Sequence, residues 1–600
     1  MRPLLSLIAI VWLTACTTPP APSGWRYSVS DQPELASGST DKLGWAATRQ
    51  AVAAANPLAT DAGHHILRAG GSALDAAIAV QLVLGLVEPQ SSGIGGGAFL
   101  MYFDGRRVQA FDGRETAPAS AKADQFLSED GKPLPFDDAV LSGQSVGVPG
   151  AMRMLEAAHR QHGTLPWAQL FEPAITLAEQ GFKVSPRLHT LVQADPYLRK
   201  DPLALRFFYT PQGQAWPVGH VLRNPEYAHI LRRLASEGSR ALHEGPVAQA
   251  IVARTAQPPR PGSLSLQDLR AYQPREREAL CFDQARPPRN YRLCGFPPPS
   301  SGQIAIGQIL GMLGHTPAQA PELAEGLPSP DWLHRYAEAS RLAFADRAQY
   351  VADPDFVTAP GGDWRTLLAP DYLRARSLLI GAQAMKVAPA GQPSGSPSAW
   401  APMPSQPEYG TSHISVVDAQ GRAVAMTTSI EAAFGSRRMV TTNPARPGGF
   451  LLNNQLTDFS FVPTDAQGRP VANRVEPGKR PRSSMSPTLV FDQTNGQLLM
   501  SAGSPGGAVI IHFTGKVLVG TLHWGLNVQQ SVNLPNFATL GGPVLLEHQR
   551  WPAQTVQSLQ SLGHEVRQID LTSGLQAIER TPTGWFGAAD PRREGVVRVD

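Results

Sequence analysis

From residue 388 to residue 428 the chain reads APAGQPSGSPSAWAPMPSQPEYG and then TSHISVVDAQGRAVAMTT. The first part crowds prolines among small polar residues, which leaves too little apolar surface for firm ordering. Residues 388–410 are therefore predicted to be an exposed, flexible linker. The second part holds two β-branched runs, 413–417 and 423–428, on either side of Asp418-Ala419-Gln420-Gly421, which predicts a hairpin. Gly410-Thr411 thus sits at the seam between flexible chain and rigid strand. Breaking the bond between them would put a hydroxyl and a free α-amine on one residue. Such an amine titrates near about 8, so a fraction is unprotonated at neutral pH and can accept the hydroxyl proton. Thr411 would then be nucleophile and base together. By itself, the dipeptide is commonplace and reads better as an ordinary strand start.

Upstream, residues 59–68 carry a helical pattern that Gly70-Gly71 stops, and Ser72 can cap a second helix from 73 to about 87. That helix is apolar almost all round, interrupted by Asp75 and Gln81, and too short to span a bilayer; it reads as a buried core helix. After the cluster Gly93-Ile94-Gly95-Gly96-Gly97, the apolar runs 98–103 and 108–111 meet at Asp104-Gly105, a second hairpin signal. Helical patterns dominate from about 151 to 380, clearly so at 332–345, and beyond residue 411 strands alternate with Gly-rich turns. The reading is a mixed α/β (α+β) chain of two domains or one large layered domain, as 600 residues would suggest. With 52 basic against 49 acidic side chains the formal charge is +3, which argues against a strongly basic nucleic-acid binder.

The chain opens with Arg2, an apolar run at 4–13 and Ala15-Cys16, the three parts of a secretory signal. Leu13-Thr14-Ala15-Cys16 resembles the bacterial lipoprotein signal, in which the Cys is acylated. The expectation is a signal peptide at 1–15, a lipid on Cys16, a tether at 16–44, and a periplasmic protein anchored to a bacterial membrane, the outer one by preference. An ordinary cleaved signal with an incidental Cys is the alternative. The remaining cysteines, Cys281 and Cys294, flank a turn at Pro287-Pro288-Arg289-Asn290 between strand-like runs, and an exported compartment would permit a disulfide between them. Two cysteines without His partners at ligand spacing do not make a zinc site, so no metal is expected.

The cluster at 93–97 is not a phosphate loop, because a strand follows it where a helix is needed and no Lys-Ser/Thr is present. GQSVG at 143–147 matches a nucleophile elbow around Ser145, but Val148-Pro149-Gly150 separates it from the next helix, so a loop is the better reading. His64-His65, His220 and His315 have no ligand spacing.

Context decides for Thr411. The run TSHISVVD at 411–418, LLNNQLTDFS at 451–460, GKRPRSSMSPT at 478–488 and GSPGG at 503–507 resemble, in order and spacing, the γ-glutamyltransferases. In the first half GGSALDAAIAV at 70–80, SSGIGGGAF at 91–99, FDGRETAP at 111–118 and FPPPSSG at 296–302 agree, so the resemblance covers roughly 45 to 595. It implies the N-terminal-nucleophile hydrolase fold, a four-layer αββα sandwich. It also implies self-cleavage between Gly410 and Thr411 into a large subunit, with its body at 45–387 and its end at the linker, and a small catalytic subunit, 411–600. The two would remain together as a heterodimer.

The same resemblance assigns roles. Thr411 would be the nucleophile and the backbone N–H groups of Gly506 and Gly507 the oxyanion hole. Arg114, with Ser483 and Ser484, would hold the substrate α-carboxylate, and Asp458 and Gln455 the α-ammonium. Two positions depart from the family: Glu431 stands where glutathione-cleaving members have Asn, and Ser429 where they have Thr. Glu431 could still hold the ammonium, and Ser429 keeps the hydroxyl. Between Ser460 and Gly478 the segment that forms a lid in some members is shortened and lacks Tyr. His413, on the same strand face as Thr411, is assigned to structure. The expected activity is γ-glutamyl transfer to water, amino acids or peptides, with glutathione as the default donor and no cofactor. The alternatives are a cephalosporin (glutaryl) acylase, a non-catalytic envelope lipoprotein and a serine hydrolase acting through Ser145.

Overall fold

The computed structural model describes residues 40–286, 289–393 and 399–600. The signal at 1–15, Cys16, most of the tether, Pro287-Pro288 and residues 394–398 of the linker lie outside them.

The Thr411 hairpin forms as the sequence predicts. Ser412–Val417 pairs antiparallel with Ala423–Ser429 in the register Ser412↔Thr428 to Val417↔Ala423. Its other edge pairs with Ala51–Ala54, which places the strand after Thr411 in the middle of a seven-stranded sheet. The remaining members are Val596–Val599, Gly97–Phe103, Val108–Asp112 and Arg275–Arg277. Along Ser412–Val417 side chains alternate between faces. Ile414 and Val416 point to an outer layer that includes helices Pro57–Arg68 and Ala73–Val87. Val417, with Phe99 and Ala425, faces a second sheet.

Helix Ala73–Val87 has no polar face to offer solvent, and of its residues all but Gly85 are buried. Its start is fixed by a capping box, Ser72 accepting from Asp75 N while Asp75 accepts from Ser72 N. Asp75 also accepts from Thr164 N and Leu165 N at 2.9 and 3.1 Å, so the one acid in this helix ties it to the following layer.

The second sheet also has seven strands, in the order Trp45–Ala47, Gly584–Ala589, Gln576–Thr581, Leu498–Gly503, Thr488–Asp492, Arg289–Gly295 and Leu280–Arg286. Its outer face is covered by helices Gly302–His315, Pro330–Tyr350 and Ile510–Leu522. Helix, sheet, sheet and helix therefore stack as the αββα sandwich. Cys281 lies directly opposite Cys294 in the Leu280–Arg286/Arg289–Gly295 pair and is bonded to it, with Cα atoms 4.1 Å apart.

One sequence expectation is corrected. Residues 388–410 are not an exposed linker throughout. Ala401 and Met403 are buried against Val471, Ala401 N donates to Pro470 O at 2.8 Å, and Met403 N donates to Ala348 O at 2.9 Å. Average composition concealed this: two apolar side chains at alternate positions share one side of an extended segment and reach a common hollow. The docked segment runs into the bond before Thr411.

Candidate active site

Thr411 is buried at the start of Ser412–Val417. The carbonyl oxygen of the preceding Gly410 accepts a hydrogen bond from Ser429 Oγ at 2.9 Å, and Ser429 Oγ in turn accepts from Glu431 N at 2.8 Å. Ser429 ends the partner strand, so the hairpin register itself brings this hydroxyl beside the junction. Gly410 also has no room for a side chain: a Cβ there would lie 2.4 Å from Glu431 O.

Gly506 and Gly507 follow strand Leu498–Gly503 and adopt φ of 137° and 57°, values that glycine reaches without strain. A Cβ on Gly507 would strike Glu408 O at 2.0 Å, so the docked upstream segment runs directly over this turn.

Arg114 leaves the end of strand Val108–Asp112 and is almost fully buried. Its Nη2 donates to Asp458 Oδ2 at 2.5 Å and to Arg482 O at 2.9 Å, and its Nε donates to Pro481 O at 3.1 Å. Gln455 Nε2 donates to the same Asp458 oxygen at 2.8 Å, from the other end of a single helical turn, Gln455–Asp458. Asp458 Oδ1 and Gln455 Oε1 are buried with no hydrogen-bond partner. Each of these acceptors is able to take a hydrogen bond from a further donor. Burial raises the Asp458 carboxyl above its ordinary value, while Arg114 opposes the shift.

Glu431 lies just past the partner strand at φ 76°, a strained conformation for a residue with a side chain. Its carboxyl accepts from Tyr409 N at 2.9 Å and from Asn454 Nδ2 at 2.5 Å. Burial and the neighbouring Asp458 push it up to about 8. In the intact chain it therefore binds the backbone before the junction. Glu115 sits 4.0 Å from Arg114 with both carboxyl oxygens unpartnered, and burial raises it to about 8.

Ser483 and Ser484 lead into strand Thr488–Asp492. Ser483 Oγ accepts from Met485 N at 3.1 Å. Ser484 Oγ donates to Glu408 Oε2 at 2.6 Å and accepts from Arg347 Nη2 at 2.7 Å. The structure thus gathers Arg114, Thr411, Ser429, Gln455, Asp458, Ser483, Ser484 and Gly507 around one small cavity of about 20 Å3, which the segment ending at Gly410 helps to line.

Three participants were not anticipated. Glu408 lay in the presumed linker, Arg347 in the middle of a helix, and Arg482 inside the quoted GKRPRSSMSPT motif, where only its serines had been considered. The signal available was charge: Arg482 stands directly before Ser483-Ser484.

Ser145 does not line this cavity. It closes a short turn, Gly143–Ser145, is buried, and donates to Val140 O and Ser142 O at 2.9 and 2.8 Å. His413 lies between the sheets, its Nδ1 and Nε2 2.9 and 3.1 Å from the hydroxyls of Thr427 and Ser415, and burial lowers it to about 3. It is neutral and committed to those contacts. Among the described residues no group of three or more His, Cys, Asp or Glu side chains is arranged to hold a metal ion, and no helix is long and apolar enough to cross a membrane.

Comparison with known proteins places this geometry. The sequence model of the gamma-glutamyltranspeptidase family matches residues 59–599. The glutathione hydrolase proenzyme of Bacillus subtilis (strain 168) is 34% identical over 556 residues, 91% of this chain and 90% of that protein. The acylase ACY 1 proenzyme of Pseudomonas sp. (strain V22) is 34% identical over 575 residues, 94% of this chain and 96% of that one. Among solved structures, cephalosporin acylase from Bacillus halodurans superposes with a TM-score of 0.78 at 26% identity, covering 97% of this chain and 99% of its own.

Proposed function

The chain belongs to the gamma-glutamyltranspeptidase family, and from that premise we propose that it is a proenzyme that cuts its own Gly410–Thr411 bond and then transfers γ-glutamyl groups through Thr411. The observation that carries the reading is the Ser429 hydroxyl bonded to the Gly410 carbonyl oxygen, on the residue before the nucleophile. In the first stage the Thr411 hydroxyl oxygen attacks the Gly410 carbonyl carbon. The tetrahedral oxyanion collapses as the C–N bond breaks and the Thr411 nitrogen takes up the proton given up by the hydroxyl, leaving a free amine and Gly410 as an ester on the Thr411 side chain. Water then hydrolyses that ester, giving a Gly410 carboxylate and restoring the Thr411 hydroxyl. The Ser429 hydrogen bond stabilises the negative charge that forms on the carbonyl oxygen.

In the second stage the new amine takes the proton of its own hydroxyl as that oxygen attacks the γ-carbonyl of the donor. The leaving amine departs with a proton, and a γ-glutamyl ester remains until water or an acceptor amine breaks it. The backbone N–H groups at Gly506 and Gly507 stabilise the oxyanion, and Asp458 and Gln455 hold the donor's α-ammonium. Glutathione is the proposed donor, in keeping with relatives named glutathione hydrolase.

A second reading, cleavage of glutaryl side chains from cephalosporins, is favoured by the acylase relatives. The orphaned oxygens of Asp458 and Gln455 weigh against it, since a glutaryl group has no ammonium to offer them. We also propose export to the periplasm and lipid anchoring through Cys16, on the lipoprotein-like LTAC at 13–16.

The test is a denaturing gel of purified full-length protein with N-terminal sequencing of the small band, followed by assays with γ-glutamyl- and glutaryl-p-nitroanilide. A small band beginning at Thr411 and preference for the γ-glutamyl amide are expected. An uncut, inactive chain would leave the binding-module reading, and glutaryl preference would give the acylase one.

A further inference from the structure

A cavity of about 250 Å3, separate from the one beside Thr411, takes no part in the chemistry above. Four basic side chains line it, Lys200, Arg254, Arg437 and Arg438, against one acid, Asp201. Two of the four are neutralised: Arg254 Nη2 donates to Asp201 Oδ2, and Arg437 Nη2 donates to Asp195 Oδ2 at 2.9 Å. Arg438 is buried, and its two Nη atoms donate only to backbone carbonyls, those of Arg254 at 2.9 Å, Gln257 and Leu141 at 3.0 Å and Pro259 at 3.1 Å. Neither Arg438 nor Lys200 makes an ion pair among the described residues, and Arg438 Nε is buried without a hydrogen-bond partner. Carbonyl dipoles solvate a guanidinium but do not cancel its charge. Burial and the neighbouring Arg254 lower Arg438 to about 10, which leaves it cationic at neutral pH. Two uncompensated positive charges therefore line one concave space, and such a space draws in an anion.

Its position says which anion. A short series of contacts links it to the catalytic cavity. Tyr197, on the cationic cavity, donates its hydroxyl to Asp137 Oδ2 at 3.0 Å; the ring of Phe136, the preceding residue, lies 5.7 Å from that of Tyr409; and Tyr409 lines the catalytic cavity. The chain makes the same connection, since Ser429 lines one cavity and Ser436 the other. A γ-glutamyl peptide such as glutathione carries two carboxylates. One belongs to the acyl group that Thr411 would take up. The other ends the leaving peptide, on the far side of the scissile amide. We propose that the cavity lined by Lys200 and Arg438 binds the C-terminal carboxylate of the peptide that leaves when the donor acylates Thr411. The identity of this ligand rests on the acyl-transfer reading. Arg438 supplies a fixed positive charge in the wall, and Lys200, which is exposed, supplies an ammonium that can reach the carboxylate. Neither touches the reacting atoms, so they set which leaving group is preferred and not how the acyl group reacts.

The experiment compares processed full-length wild type with Lys200→Met and Arg438→Met on three donors: glutathione, its glycine amide, and γ-glutamyl-p-nitroanilide, whose leaving group has no carboxylate. In wild type, KM for glutathione is expected to lie about fivefold below KM for the amide, the scale of one partly exposed ion pair. Each substitution should raise KM for glutathione toward the amide value and leave the amide and the anilide within about twofold of wild type. Equal KM for glutathione and its amide in wild type, or parallel changes on all three donors, would overturn the site while leaving acyl transfer intact. Because Lys200 is exposed, Lys200→Met decides the matter if Arg438→Met fails to fold. If no donor is turned over, calorimetric titration with glycylglycine and glycylglycinamide gives a readout independent of catalysis. Tighter binding of the free acid, lost in Lys200→Met, supports the site, and only the acyl-transfer reading then falls. Equal binding of acid and amide, or a preference that Lys200→Met keeps, would overturn it.

Discussion

Ser429 donates its hydroxyl hydrogen to the carbonyl oxygen of Gly410 at 2.9 Å, so the acyl group proposed to be attacked is already polarised in the uncut chain. Removing one donor to an oxyanion typically costs about 10²–10³ in rate. Ser429→Ala should therefore slow the appearance of the small subunit by about that factor, while Ser429→Thr, which keeps the hydroxyl, should stay within about tenfold of wild type. A time course of freshly purified precursor on denaturing gels reads this directly. Unchanged processing in Ser429→Ala would mean that the hydroxyl is merely packed there.

Gly410 tests the geometry from the other side. Because a Cβ would lie 2.4 Å from Glu431 O, Gly410→Ala must push the junction or the Glu431 backbone away from its place. That displacement moves the carbonyl from both the Thr411 hydroxyl and Ser429, and a misplacement of about 1 Å can cost about 10²-fold. Gly410→Ala is expected to accumulate as full-length protein with a circular dichroism spectrum like that of Thr411→Ala. Normal cleavage would show that the junction does not react in this conformation.

The parts of this site that were legible in the sequence are those whose chemistry follows from residue type. The Thr411 hairpin was visible because two β-branched runs flank Asp418-Ala419-Gln420-Gly421, and helix Ala73–Val87 because Gly70-Gly71 and the capping Ser72 precede an apolar run; the part of Asp75 in the capping box was not visible. Pairing of Arg114 with Asp458 was not, because it joins residues 344 positions apart through the fold. Nor was the role of Glu408, since composition averages over a segment whereas docking depends on which side chains alternate. Ala401 and Met403 face inward and bring Glu408 to Arg347, a contact that no local pattern could specify.

The unpartnered Asp458 Oδ1 gives a specificity prediction. Asp458→Asn keeps an oxygen but loses the charge that would attract an ammonium, and a hydrogen bond to a charged group is worth about 1.5–3 kcal/mol. The substitution should lower kcat/KM for γ-glutamyl-p-nitroanilide by about ten- to a hundredfold. Loss of the Arg114 ion pair would affect every donor alike, so the diagnostic is the ratio: glutaryl-p-nitroanilide should suffer at least tenfold less. Parallel losses on both amides would assign Asp458 to holding Arg114 alone.

Glu115 links the site to pH. Its carboxyl is pushed by burial from an ordinary value of 4.5 up to about 8, with Arg114 only partly opposing the shift. Between those values the folded chain keeps a proton that the unfolded chain has released. The unfolded state then binds fewer protons, so stability falls as pH rises through this window, with a limiting slope of about 1.4 kcal/mol per pH unit for one proton. Glutamine has the shape of the protonated acid and cannot ionise. In the uncut Thr411→Ala background, Glu115→Gln should match its parent in thermal denaturation midpoint at pH 5 and exceed it at pH 8.5. Parallel pH profiles for the two proteins would show that Glu115 is ionised in the folded chain, with Arg114 rather than burial governing its charge.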